Sequence, residues 1–518
     1  MSWTLTLEQR NAVVQRMSAS IAGLAMSLGK EIPDVAALDH ASGIEKKAYT
    51  AAQVGSTTTH NAWDSGSRPA SETTKAYARK LSELLLEVVC AGDIQQAKTD
   101  ASTAGVLDLT GSRDFLTKES AEETLKVMLV PDASISKIKF STKSFGRDAA
   151  NVAASAIKNC SASLVDADIS DMIAGRPEDE ALDALRIVCE ALASAGLRRL
   201  NLSDNALGEK GVRACAAAIT SQAALESLAL QNVGCSIHAC RAVEELLQAS
   251  QALKQLHLFN NMSADEGAEY IAKILSRAPL MEDFRMVSSR VGPRGGSALA
   301  LGLTSGSHLV RLDLSDNPMT AEVAPAVAEC VRRQPHLKYL NLNDTSLTDQ
   351  GVKLVCTALS QPGACQLLEE LELALNEITH EGARSVALAV LGKPLLWRLN
   401  LRENELEDKG GVVIGRAVAL MPALKVLDAC GNQIKRVGAV ALAKAAATQS
   451  QLELLQMDEN MISEEGLDEV KSILKVAGKL NALGPLDENM EEDDEELDDE
   501  DLEGDDELSA AFSKAAIA

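Results

Sequence analysis

The chain has 518 residues, 46% of them hydrophobic, and a formal net charge of −25. That balance excludes a nonspecific nucleic-acid binder and a protein that docks on an anionic membrane by charge. The excess is local: between Asp487 and Glu507 there are 16 acidic residues and no basic one, and the remainder carries only about −9, ordinary for a soluble body.

Residues 1–92 carry three helical patterns. Thr6 and Gln9 have capping-box spacing, with Leu7, Val13, Met17, Ile21, Leu24 and Leu28 following at near-helical intervals. A second pattern spans Ile44 to Gln53. A third runs from Glu72 to Val89, with Tyr77, Leu81, Leu84, Leu85 and Val88 on one stripe. Together they predict a small helical bundle. Residues 93–112 have mixed polar composition and read as a linker. Phe115 to Leu129 is predicted as a helix that caps the open edge of a repeat array beginning near Ile135.

Within that array one phrase returns. Leu197-Arg198-Arg199-Leu200-Asn201-Leu202-Ser203-Asp204-Asn205 reads L-x-x-L-x-L-x-x-N, and it recurs at Leu309 to Asn317 and at Leu396 to Asn404. This is a leucine-rich repeat. Its first apolar positions are Ile135, Leu164, Leu197, Leu225, Leu253, Met281, Leu309, Leu337, Leu368, Leu396, Leu424 and Leu452, twelve units mostly 28 residues apart. The fold class is α/β: a ribonuclease-inhibitor-like solenoid over residues 113–480. Parallel strands spaced about 4.8 Å apart inside helices that need about 8–10 Å bend the stack into a horseshoe. Glycine recurs fourteen residues after the anchor at Gly211, Gly267, Gly295, Gly351, Gly382, Gly410, Gly438 and Gly466, near the start of each return helix. Residues 481–518, with the acidic run, are expected to be a disordered tail.

Motifs for independent chemistry are missing. There is no G-x-x-x-x-G-K-[ST], no G-x-S-x-G and no H-E-x-x-H. The ten cysteines show no C-x-x-C pair and predict reduced, buried thiols in an intracellular protein. No stretch is apolar enough to span a bilayer, and no secretory signal is expected. The acidic residues of the strand and loop phrases, such as Asp204, Asp313, Asp316, Asp344, Glu403 and Asp458, fit either a solvated rim or a surface for a basic partner. His257 is expected on the concave face. The interval after Leu164 is 33 residues, so the loop through Asp171, Arg176 and Glu178 is expected to be about five residues longer than its neighbours. Long rim loops are where function tends to sit. Arg176 heads an acidic run, so an internal salt bridge holding the loop is the plain alternative.

Asp168-Ile169-Ser170-Asp171 through Ala174-Gly175-Arg176-Pro177-Glu178, followed by Leu200 to Gly211, resembles the GTPase-activating proteins of the small GTPase Ran. Ile138 to Ser141 with Ser144-Phe145-Gly146, Asn460 to Gly466 and the acidic tail resemble its plant-type members. Residues 1–92 are similar to the plant WPP domain in Trp3, Gln15-Arg16-Met17 and Tyr77-Ala78-Arg79-Lys80, with Thr4-Leu5 where that family has Pro-Pro. The resemblance implies a GTPase activator rather than an enzyme with its own cofactor: the partner GTPase holds GTP and Mg²⁺. It implies stimulation without an arginine finger, by positioning the GTPase's own glutamine. By that resemblance Asn232 is the asparagine set against the glutamine. Arg176 is the loop arginine that holds the binding surface, and Glu178 stands where the family often has a basic residue. Asp171, Glu178, Asp204, Asn205, Asp316 and Asp344 are the expected partner-binding positions. The resemblance also implies a cytoplasmic protein whose residues 1–92 meet an anchor at the nuclear envelope, with no membrane insertion and no nucleic acid. A non-catalytic protein-binding scaffold is the alternative.

Overall fold

The computed structural model describes residues 105–131, 133–206, 208–248, 251–489 and 506–515. The predicted N-terminal bundle lies outside these residues. The first strand is β1 (Val106–Asp108), followed by β2 (Asp114–Leu116), β3 (Lys137–Lys139), β4 (Lys143–Phe145) and β5 (Asp166–Asp168). The regular phrases supply β6 (Arg199–Asn201), β7 (Ser227–Ala229), β8 (Gln255–Phe259), β9 (Asp283–Val287) and β10 (Arg311–Asp313). They continue with β11 (Tyr339–Asn341), β12 (Glu370–Glu372), β13 (Arg398–Asn400), β14 (Val426–Asp428) and β15 (Leu454–Gln456). Thirteen strands form one sheet in the order β1, β3, then β5 to β15. The pairing is parallel throughout, and helices fill each connection.

The leucine column sets the register. Leu200 pairs with Leu228, Leu228 with Leu256, and Leu371 with Leu399, each the second residue of its strand. All of these side chains are buried. A constant repeat length puts the same side chain at the same height in every layer, so one slipped residue would turn a whole leucine row to solvent.

The asparagine column is a second ladder. Asn404 accepts from the backbone N–H groups of Asn376 and Ile378 at 2.9 and 3.1 Å. It donates to the carbonyls of Leu373 and Leu401 at 3.0 and 2.9 Å. Asn205, Asn261, Asn317 and Asn460 do the same between their own neighbours. One buried amide therefore satisfies backbone groups that the tight turn leaves out of the sheet. Asn404→Ala strands those groups and is expected to cost about 3 kcal/mol, read as a lower denaturant midpoint.

The glycine column has a specific cause. Asp408, in the first turn of the helix Glu407–Val418, accepts from the N–H groups of Lys435 at 3.0 Å and Gly438 at 2.6 Å. It thus caps the start of the next repeat's helix, Arg436–Thr448. A Cβ on Gly438 would lie 2.8 Å from Asp408 Oδ1. Asp265 with Gly295 and Asp349 with Gly382 repeat the arrangement.

Three boundaries differ from the sequence reading. β1 falls inside residues 93–112, expected as linker, because it adds an edge strand to β3. Phe115, expected at the start of a helix, lies in β2, which pairs with β4 in a separate two-stranded sheet. The helix begins only at Lys118, where Thr117 and Ser120 form a capping box. At the other end the array runs past residue 480. Leu483 bridges to Leu455, and Asn489 accepts from Asn460 N–H at 3.1 Å, continuing the asparagine ladder. Nor is all of 481–518 an extended tail. Asp506–Ala515 is a helix that packs on the helix His380–Leu391, with Leu508 buried and Phe512 half-buried. The four-residue spacing of Leu508 and Phe512 makes the apolar stripe responsible.

Candidate functional site on the strand-to-helix rim

The loop after β5 departs most from the repeat. The next helix starts at Glu178, fourteen residues after Leu164, against eleven or twelve in most other units. That helix runs 15 residues, to Leu192. The long interval is thus shared between a loop only slightly enlarged and a longer helix, because Asp171 and Met172 still occupy the regular turn.

Arg176 turns inward across this loop, its side chain only 16% exposed. Its Nε donates to Ser144 Oγ at 3.0 Å, and its Nη2 to the carbonyls of Ser144 at 2.8 Å and Leu116 at 3.3 Å. The guanidinium also lies over the ring of Phe115, 5.2 Å from its centre. The salt bridge expected from the acidic run exists, to Glu180, but at 3.5 Å it is the longest of the contacts that Arg176 makes with oxygen. Neutral oxygens of the β2–β4 ribbon do most of the pinning. Gly175 has φ +75°, and a Cβ there would strike the Phe115 ring. Asp171 makes an ion pair with Arg113 on the same side.

A groove of about 700 Å³ opens between this loop and the turn of the next repeat, lined among others by Arg176, Glu178, Leu185, Asp204, Ala206 and Lys210. Glu178 and Lys210 pair across it at 2.5 Å. Asp204 is exposed at its edge. Asn205, expected to bind a partner, is corrected to a structural role: it is 2% exposed, and its amide is spent on Met172, Ile169, Leu202 and Ser203.

Asn232 stands one layer further on. It is exposed, with φ +51°. Its Nδ2 donates to Asp204 Oδ1 at 3.0 Å, and its Oδ1 accepts from Asn260 Nδ2 at 3.0 Å. Two flanking side chains therefore fix the amide's orientation while its outer edge faces solvent. Asp171, Asp204, Asn260, Ser288, Asp316 and Asp344 hold the same left-handed place in their own repeats. The backbone turn asks for residues that tolerate this region, which favours Asn and Asp. Asp316 and Asp344 are exposed but lie at least four layers beyond Asp204, about 19 Å away at the strand spacing. They join the acidic rim, where burial, then Asp316 and Glu403, raise the Asp344 carboxyl above its usual value. The groove does not include them. The sequence reading missed Phe115, Ser144 and Asn260, and also Phe259 and Met262, two exposed apolar side chains beside Asn260.

The concave face is a mosaic of opposite charges. Asp166 pairs with Lys137 and Arg199, and Glu372 with Arg398. His257 lies there as expected, its Nε2 3.1 Å from Asp283. Burial would raise the Asp283 carboxyl, but the bonds from His257 and Arg285 outweigh it and hold it down to about 2. A depressed carboxyl stabilises the fold above the unfolded value of 3.8 and loses that contribution as pH falls towards 2. Acid unfolding of Asp283→Asn should accordingly show a flatter limb between those values, by about 1–2 kcal/mol. Among the described residues no helix is long and apolar enough to cross a membrane, and no His, Cys, Asp and Glu group forms a metal site.

Residues 2–99 match the WPP domain, and residues 196–214, 333–356 and 364–387 match the leucine-rich repeat. The protein is a leucine-rich-repeat solenoid preceded in sequence by residues similar to the WPP domain. It is similar to RAN GTPase-activating protein 1 of Arabidopsis thaliana, 44% identical over 157 residues, 30% of this chain and 29% of that one. RAN GTPase-activating protein 2 of the same plant is 38% identical over 237 residues, 44% of this chain and 42% of that one. The ribonuclease inhibitor of Sus scrofa is 32% identical over 201 residues, covering 38% and 43%. The chain thus spans less than half the length of each of these relatives. The resemblance to plant-type Ran GTPase-activating proteins, read first from the Arg176 loop and the WPP-like residues, is borne out.

Proposed function

We propose that this protein activates GTP hydrolysis by a Ran-like small GTPase, and that the rim from the Arg176 loop to Asn232 is where it does so. The names of the two plant relatives support the partner class. The observation that carries the reading is Asn232: an exposed amide held from both sides by Asp204 and Asn260. A preoriented amide of this kind can hold the side chain of a glutamine that aligns the attacking water, a task whose value lies in positioning. Arg176 is tied to four oxygens and cannot reach a phosphate without abandoning them, which fits an activator without an arginine finger. GTP and Mg²⁺ belong to the GTPase, and this chain supplies no cofactor of its own. The protein acts in nucleocytoplasmic transport, in the cytoplasm and at the nuclear envelope, where the WPP domain meets an anchor protein.

Single-turnover hydrolysis of GTP on Ran, with and without this chain, tests the reading. A marked acceleration supports it. Binding to Ran with unchanged hydrolysis replaces it with a non-catalytic scaffold, a reading favoured by the charged concave face and the likeness to ribonuclease inhibitor. The acidic run Asp487–Glu507 steers association with a basic partner surface. Removal of residues 490–505 from it, which spares Asn489 and the helix Asp506–Ala515, is expected to lower the on-rate at low salt and to matter little at high salt.

A further inference from the structure

Two buried thiols lie directly beneath the Asn232 turn. Cys235 follows that turn, and Cys240 sits in the first part of the helix Ile237–Leu246. Their Sγ atoms are 3.4 Å apart, and neither side chain reaches solvent. Cys240 Sγ is also 3.3 Å from Ser263 Oγ of the next repeat, and that hydroxyl donates to the Cys235 carbonyl at 3.0 Å. Cys235 N–H donates to Asn261 Oδ1 at 2.8 Å. The sulfurs thus belong to the bond set that holds the Asn232 turn on its neighbour. The two thiols are not equivalent. The bond from Cys235 holds the Cys240 thiol below its usual range despite burial, whereas the bond to Cys240 and burial push Cys235 up.

We propose that Cys235 and Cys240 are a peroxide-sensitive pair whose disulfide distorts the Asn232 turn and switches the rim off. The loss of stimulation rests on the proposed function; the bond itself does not. The chemistry balances with hydrogen peroxide as oxidant. The Cys240 thiolate attacks one peroxide oxygen, the O–O bond breaks, and a sulfenic acid and water result. The Cys235 sulfur then attacks the sulfenyl sulfur, the S–O bond breaks, and the Cys235 thiol proton passes to the departing hydroxide, which leaves as a second water. Two thiols are oxidised and one peroxide is reduced. The oxidant enters by local opening of the turn, whose Asn232 is already exposed.

The structural consequence comes from the distance. A disulfide closes the sulfurs to about 2.05 Å, more than 1 Å nearer than they stand. The helix cannot supply that movement, because Ala239, Ala242 and Val243 lock it into the core. The turn Val233–Ser236 can, since it carries a left-handed glycine at Gly234. Drawing Cys235 inward stretches its bond to Asn261 and pulls Asn232, three residues earlier, away from Asp204 and Asn260.

The test uses the full chain treated with millimolar hydrogen peroxide, alkylated under denaturing conditions and digested with trypsin. The peptide from Ala214 to Arg241 contains Cys215, Cys235 and Cys240. The expected product has lost two hydrogens between Cys235 and Cys240 and keeps Cys215 alkylated. Hydrogen exchange at residues 230–236 should rise. Stimulated hydrolysis should fall several-fold, recover with dithiothreitol, and resist peroxide in both Cys235→Ala and Cys240→Ala. Both cysteines alkylated after treatment would overturn the proposal. So would a bridge in its place between Cys189 and Cys215, a neighbouring pair of buried thiols one repeat away, or the expected bridge with unchanged exchange at the turn. Bridge and exchange are read on this chain alone, so an unoxidised protein that fails to stimulate Ran counts against the proposed function only.

Discussion

Asn232→Ala is expected to slow stimulated hydrolysis by about 10²–10³-fold while leaving affinity for the GTP-bound partner close to wild type. The size comes from the role: a single preoriented polar group that acts on the transition state is worth that much, and its loss does not touch the rest of a binding surface. One complication is built into the site. Asn232 has φ +51°, and alanine in that region costs about 1–2 kcal/mol. The variant would therefore lose activity for two reasons at once. Asn232→Gly separates them, because glycine accepts the backbone and removes only the amide. Equal losses in the two variants assign the effect to the side chain. Activity retained in Asn232→Gly would remove Asn232 from the mechanism. Asn260→Gly adds a graded test: it keeps the left-handed backbone and the Asn232 amide but frees one side of that amide, so a smaller loss in rate, again with little change in affinity, is expected.

The repeat made most of the sheet legible before any coordinates. Twelve anchor residues placed twelve strands, because a leucine that recurs every 28 residues can be buried only by stacking on its counterpart. The ends resisted for the same reason. β1 and the Leu483 bridge lack the full phrase and are recognisable only by what they pair with. The helix Asp506–Ala515 needed the surface it covers. At the candidate site, the anomaly at Arg176 was visible as a broken interval, but its acceptors were not. Ser144 and the Leu116 carbonyl come from other repeats, and nothing in their local sequence marks them as partners of an arginine. Asn205 misled for the opposite reason: expected as a partner-binding position, it is the ninth residue of the phrase, whose amide the turn folds inward onto backbone groups. The left-handed column was present in the sequence as Asp171, Asp204, Asn232, Asn260, Asp316 and Asp344. It passed for surface acidity because Ser288, Leu375, Glu403 and Glu459 hold the same place without the favoured residue types.

Arg176→Ala should act on the surface rather than the reaction. Truncation takes the donor away from the carbonyls of Ser144 and Leu116, frees the Phe115 ring and removes the ion pair of Glu180, while the Ser144 hydroxyl keeps its bond to the Ala174 carbonyl. Hydrogen bonds from a charged, largely buried donor are worth about 1.5–3 kcal/mol. Part of that is recovered when water fills the gap, so a loss of about 3 kcal/mol in all is expected. The damage concentrates where the loop meets the β2–β4 ribbon, and the groove beside Asp204 loses one wall. Partner affinity should fall together with stimulated hydrolysis, unlike the pattern expected for Asn232. Arg176→Lys discriminates further. A lysine keeps the charge but offers no planar fork, so it can serve the Ser144 hydroxyl or the carbonyls and not both. If Arg176 positions the loop, lysine rescues little, and Phe115→Ala reproduces part of the defect without removing any charge. An arginine that acted on phosphate would behave otherwise: its loss would leave binding intact, and Phe115→Ala would be silent. Binding measured by titration alongside single-turnover hydrolysis therefore decides between a pin in the scaffold and a finger on the nucleotide.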